Sequence, residues 1–154
     1  MTVTDVPLKR ELGAPKLGVL LVDDVASTRH LLRAVLGTVH ALEVIDEAGT
    51  GRAAIESAAR LQPDIILLDL ALPDTDGALI LEQLLSVAPN TQVIILSDDA
   101  KEAGPALVAR GAIGSIEKGL APRELICRLS SALNTPLPVT GLLASDMNRT
   151  FGRY

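Results

Sequence analysis

Hydrophobic and polar positions alternate along this chain in blocks, and the blocks change period. Leu17 to Val22 (LGVLLV) is a short continuous apolar run, a pattern that suits a strand buried on both faces of a sheet. From Ser27 the spacing becomes helical, with Leu31, Leu32, Val35 and Leu36 on one face and Arg29, His30 and Arg33 off it, and Gly37 is placed to end the helix. Leu42 to Ala48 (LEVIDEA) alternates weakly and predicts an edge strand. Gly49-Thr50-Gly51 then turns the chain into a helix striped by Ala54, Ile55, Ala58 and Leu61 and stopped by Pro63.

Ile65 to Leu68 is the strongest apolar run, and it ends in a carboxylate, Asp69. Pro73 and Asp76-Gly77 close the following loop before a helix carrying Leu79, Ile80, Leu84 and Val87, which Pro89-Asn90 terminates. Val93 to Leu96 predicts a fourth strand ended by Ser97, followed by a helix through Leu107 to Arg110. Ile113 to Glu117 predicts a short fifth strand ended by Lys118. Pro122 opens a last helix with Leu125, Ile126, Leu129 and Leu133 inward. Five βα units in succession predict an α/β domain: a doubly wound parallel sheet with helices on both faces and right-handed crossovers.

Composition narrows the class. At 154 residues, one domain is expected, with an apolar fraction of 48% and 21% charged residues. The aromatic content of 1% is Phe151 and Tyr154, so the core is aliphatic. A net charge of −5 without a long Lys/Arg cluster argues against direct nucleic-acid binding. The single Cys127 excludes an internal disulfide and is read as a packing residue on the last helix. No apolar stretch approaches the roughly 18 residues of a membrane span, and the first residues lack an apolar signal core; the expected location is cytoplasmic. Residues 1–15 read as a mobile leader, 16–134 as the domain, and 135–154 as a C-terminal extension or linker with a short helix around Leu142 to Arg149.

The strand ends carry the candidate chemistry. The first supplies Asp23 and Asp24, the third Asp69, the fourth Ser97 and the fifth Lys118, all at the carboxyl edge of a parallel sheet, where ligands collect. Three converging carboxylates repel, and Mg²⁺ is the hard cation that relieves them while sharing itself with phosphate oxygens. A hydroxyl and an ammonium alongside can hold the other oxygens of a phosphoryl group. Asp69 is then a candidate carboxylate nucleophile. His30 and His40 read as surface residues, Asp74 as solvated loop, Asp76 as a turn or cap residue, and Asp24 as able to cap a helix and ligate at once.

LLVDD at 20–24, DLALPDTDG at 69–77, Ser97 after an apolar strand and GAIGSIEK at 111–118 together resemble a bacterial two-component response-regulator receiver domain, over Lys16 to Asn134. The resemblance implies a flavodoxin-like fold with strand order 2-1-3-4-5. It implies phosphate transfer to Asp69 from a sensor histidine kinase, a phosphotransfer protein or a small acyl phosphate. It further implies Mg²⁺ held by Asp24, Asp69 and the backbone carbonyl of Ala71, with Asp23 acting through water, and Ser97 and Lys118 on phosphoryl oxygens. The expected output surface is the fourth helix, fifth strand and fifth helix, used by a homodimer, an effector protein or an appended output domain. Such a chain is a signalling receiver rather than an enzyme with small-molecule turnover.

Three positions depart from the family pattern. Ser115 stands where an aromatic is usual, Asp98-Asp99 follow Ser97 where a small residue is usual, and Gly119 replaces a common proline. The first two favour an alternative, a degenerate receiver acting as a phosphorylation-independent interaction module. An aspartyl phosphatase is a third reading, opposed by Ala71 where a second acid would be needed.

Overall fold

The computed structural model describes residues 15–98 and 100–139, without the side chains of 100–103. The expected leader and the helix around Leu142 to Arg149 lie outside the described residues. Five strands, β1 (Leu17–Val22), β2 (Leu42–Ala48), β3 (Ile65–Asp69), β4 (Gln92–Ser97) and β5 (Gly114–Glu117), form one parallel sheet in the order β2-β1-β3-β4-β5. They alternate with α1 (Ala26–Leu36), α2 (Gly51–Leu61), α3 (Gly77–Val87), α4 (Ala100–Ala109) and α5 (Pro122–Leu133). The doubly wound, flavodoxin-like architecture and its strand order are as expected.

Period-two alternation along the central strands sorts the core into two layers. Val19 and Leu21 of β1, Ile65 and Leu67 of β3, Ile94 and Leu96 of β4, and Ile116 of β5 face α1 and α5. Leu20, Val22, Ile66, Leu68, Val93 and Ile95 face α2, α3 and α4. All five residues of β3 are buried, the consequence of helices on both faces.

The weak alternation of β2 has a cause. The register pairs Val19 with Val44 but Leu20 with Asp46, so Ile45 is an extra residue and a bulge. The bulge inverts the parity: Leu42 and Val44 pack in the α1/α5 layer and Ala48 in the other. Beyond it, Glu47 meets Arg29 and Arg33 of α1, while Asp46 meets Ser57 and Arg60 of α2.

Several helix faces differ from expectation. Leu31 and Leu79 are 61% and 51% exposed, and on α3 Leu81 is buried alongside Ile80 and Leu84 instead. Ile55 is only partly buried and Leu61 is exposed, because Gly51, Ala54, Ser57 and Ala58 form the inner face of α2. Cys127 is exposed on α5 rather than packed, since the inner stripe of Leu125, Ile126, Leu129 and Leu133 passes beside it. α4 starts at Ala100 and continues through Pro105. After α5 the chain still packs on the domain: Leu137 is buried with the α1/α5 layer and Val139 bridges Val39.

Leu67→Ala should destabilise the fold by about 3 kcal/mol, the usual cost of a cavity in a layer that cannot collapse. Leu31→Ala should change stability by no more than about 0.5 kcal/mol, as for an exposed position. Urea unfolding followed by circular dichroism measures both.

Candidate functional site: an acidic cluster at the carboxyl edge of the sheet

The same parity that sorts the core delivers the site. Asp23 continues the row Val19–Leu21, Asp69 continues Ile65–Leu67, and Lys118 continues Gly114–Ile116, so all three side chains leave the sheet on its α1/α5 side. Val22 pairs with Leu68 in register, which sets Asp23 and Asp69 side by side. Lys118 reaches both: its Nζ lies 2.9 Å from Oδ2 of Asp23 and 2.9 Å from Oδ2 of Asp69.

Both carboxylates are almost fully buried, at 1% and 2% residue exposure. Their Oδ1 atoms are held locally, Asp23 accepting from the Val25 N–H (2.8 Å) and Asp69 from the Ala71 N–H (3.1 Å). Apart from the Lys118 ammonium, neither Oδ2 atom has a partner among the described residues. Burial works against the charge on Lys118, yet its contacts with Asp23 and then Asp69 prevail and raise its pKa above the usual 10.5.

Asp24 is exposed beside this pair, and carboxylate oxygens of Asp23, Asp24 and Asp69 all lie within 4.8 Å of one another. Two buried oxygens short of partners and a third carboxylate at the mouth suit a hard divalent cation such as Mg²⁺. Asp24 does not cap α1. Val25 occupies that position without a side-chain cap, and the local bond comes from Asp23. Arg29 of α1 bonds the Asp23 backbone carbonyl and pairs with Glu47, bracing the β1–α1 loop from behind.

Ser97 follows the other parity, continuing Val93–Ile95, and is buried at the end of β4. Its carbonyl accepts the Lys118 N–H (3.0 Å), tying the backbones that carry the hydroxyl and the ammonium. Gly119, directly after Lys118, has φ +81°, a left-handed turn that a proline ring cannot adopt. Asp98 is exposed at the rim. Ser115 lies half-buried under α4, where a Cβ at Gly104 would come within 2.1 Å of its Oγ. The small pair Gly104 and Ser115 therefore lets α4 settle directly on β5.

Asp76 caps α3, accepting from the Ala78 and Leu79 N–H groups (2.7 and 3.3 Å). Asp74, expected to be merely solvated, instead accepts from the Gly51 and Arg52 N–H groups at the start of α2. His30 and His40 are exposed.

Sequence and structure comparisons agree with this geometry. The profile of the response regulator receiver domain family matches residues 19–130, and the chain belongs to that family. It is 33% identical over 122 residues to the uncharacterized transcriptional regulatory protein YxjL of Bacillus subtilis, covering 79% of this chain and 56% of that one. It is 40% identical over 99 residues, 64% of this chain, to protein-glutamate methylesterase/protein-glutamine glutaminase 5 of Myxococcus xanthus. The chain spans only 28% of that relative's length. Among solved structures, the response regulator domain of Thermotoga maritima CheB superposes with a TM-score of 0.68 at 26% identity, covering 79% of this chain and 98% of that one. A chain of the CheX-CheY-BeF3-Mg+2 complex of Borrelia burgdorferi gives 0.72 at 26% identity, over 80% and 92% of the two chains. This domain is a signalling receiver of two-component systems. Among the described residues, no helix is long and apolar enough to cross a membrane.

Removing the ammonium leaves two buried carboxylates facing each other. Lys118→Met should therefore lower stability in Mg²⁺-free buffer by about 3 kcal/mol at neutral pH. A lysine pKa raised on folding contributes stability that is complete below 10.5 and is lost as pH rises through the higher folded value. Urea titrations across pH 9 to 12 should show that alkaline loss in the wild type and its absence in Lys118→Met.

Proposed function

We propose that this receiver works by phosphorylation of Asp69. The observation that carries the reading is the buried Asp23–Lys118–Asp69 arrangement, which holds a carboxylate at the ligand-binding edge with one oxygen engaged only by an ammonium. An Asp69 oxygen attacks phosphorus as the bond from phosphorus to the donor breaks, giving an acyl phosphate. The leaving group is the imidazole of a kinase or phosphotransfer-protein histidine, or the carboxylate of a small acyl phosphate.

Asp24, Asp69 and the Ala71 carbonyl would hold Mg²⁺, with Asp23 joining through water. Bound there, Mg²⁺ would supply positive charge to offset the negative charge of the carboxylates and of the phosphoryl group. Lys118 exchanges its contact with Asp69 for a phosphoryl oxygen while keeping Asp23. The Ser97 hydroxyl donates to another.

The degenerate alternative is less favoured, because every group the transfer needs is present and the central three are in contact. The absent aromatic at Ser115 bears on how the signal leaves the site. With Gly104 seated on Ser115, the new charge at Asp69 would be read as a movement of α4 against β5. We assign residues 16–134 to the receiver unit and 135–154 to an extension or linker. An effector, an output domain or a second copy would dock on the α4–β5–α5 face, and the domain's setting would be the cytoplasm.

Incubation with acetyl phosphate and Mg²⁺, followed by intact-mass measurement, should give a single phosphate adduct on the wild type. Asp69→Asn and EDTA-treated wild type should give none. An adduct that persists in Asp69→Asn would overturn the assignment.

A further inference from the structure

The loop between β3 and α3 carries the reactive carboxylate at one end and caps α3 at the other, through Asp76. Its middle is fixed by a more distant contact. Asp74 Oδ1 accepts from the Gly51 N–H at 2.7 Å and its Oδ2 from the Arg52 N–H at 3.1 Å. These are the first two amides of α2, which have no partner inside the helix. The third, Ala53 N–H, goes to the helix's own cap, Thr50 Oγ1, at 3.1 Å. The start of α2 is thus capped twice, once locally and once from a residue more than twenty positions away.

The fit around this contact is close. A Cβ at Gly51 would fall 2.4 Å from Thr75 Cγ2, so any larger residue would displace the Thr75 side chain from this approach. Leu72 is buried in the adjoining core layer. The two amides hold the Asp74 carboxyl below its ordinary pKa, Gly51 contributing most.

We infer that Asp74 is a positioning residue for the Asp69 site: by gripping the α2 N-terminus it fixes the loop that aims Asp69 and carries Ala71. α2 keeps its Thr50 cap without Asp74, so losing the grip should free the loop rather than unwind the helix. The consequence falls on the two groups nearest the chemistry, the Asp69 carboxylate bonded to the Ala71 N–H and the Ala71 carbonyl beside it. The inference rests on the phosphoacceptor reading only for its functional consequence; the mechanical link stands on the hydrogen bonds.

The test uses the full chain as wild type, Asp74→Ala, Asp74→Asn and Gly51→Ala. Amide hydrogen exchange in metal-free buffer reads the link alone. Asp74→Ala should raise exchange at Ala71 at least about threefold, in proportion to a loop freed by a small fraction of the folding free energy. Exchange in the last two turns of α2 should stay at the wild-type rate. Mg²⁺ titration and acetyl phosphate kinetics read the consequence: Asp74→Ala should weaken Mg²⁺ binding and slow adduct formation severalfold at saturating donor. Asp74→Asn, which retains one acceptor oxygen, should recover part of both. Gly51→Ala, which pushes Thr75 from the other side, should reproduce the Asp74→Ala behaviour.

Ala71 exchange unchanged in Asp74→Ala overturns the inference. So does a lowered melting temperature with wild-type Mg²⁺ affinity and kinetics, because Asp74 would then be only a helix cap. If the wild type neither binds Mg²⁺ nor forms an adduct, the phosphoacceptor reading fails, and the exchange measurement alone decides the link.

Discussion

Two carboxylates buried side by side are costly unless a positive charge answers both, and here one ammonium does so. Lys118 sits 2.9 Å from each Oδ2 at the end of β5, the strand farthest from β1 on that side of the sheet. The arrangement reaches from β1 to β5: β1 leads into Asp23, β3 ends in Asp69, and β5 must be in register for Lys118, the residue that follows it, to reach them. Fold and site are therefore mutually dependent. A one-residue slip of β5 would turn Lys118 to the opposite face and strand both acids. The same shared charge leaves the site able to change. In the proposed phosphoryl transfer, Lys118 would give up one partner and keep the other.

Around that triad, the loops that follow β1 and β3 are each braced by a neighbouring helix. Arg29 of α1 holds the carbonyl of Asp23, and Asp74 ties the β3–α3 loop to the start of α2. The Ser97 carbonyl accepts the Lys118 amide, locking β4 to β5 at the rim. Preorganisation of this kind limits the rearrangement required when charge arrives. The α4–β5 side is built differently. Gly104 over Ser115 replaces bulk with close approach of α4 to β5, and under the proposed function a change at the site would be expressed by α4 itself.

Much of this was legible in the chain because parallel strands buried on both faces are nearly uniform apolar runs. The residue that breaks each run is then placed at one edge by topology alone. Asp23, Asp69, Ser97 and Lys118 are placed at that edge by that logic; the register of the folded sheet then turns Asp23, Asp69 and Lys118 to one face and Ser97 to the other. Three kinds of feature were not legible. The bulge at Ile45 inverts the parity of β2, which a local pattern registers only as noise. Leu31, Leu79 and Cys127 match the helical period loosely, but the width of the buried stripe depends on how each helix sits on the sheet. Asp74 looked like a solvated loop residue because its partners, Gly51 and Arg52, lie more than twenty residues away and are backbone amides, which no side-chain pattern advertises.

The central claim is that the buried Asp69, and none of the acids around it, receives the phosphoryl group. Borohydride reduction of the acetyl phosphate-treated protein tests it most directly, since reduction of an acyl phosphate releases phosphate and leaves homoserine at the modified aspartate. Peptide sequencing by tandem mass spectrometry should find homoserine at position 69 and aspartate at 23, 24, 74 and 98. Homoserine at any of those four positions instead of 69, or at none of the five, would contradict the account.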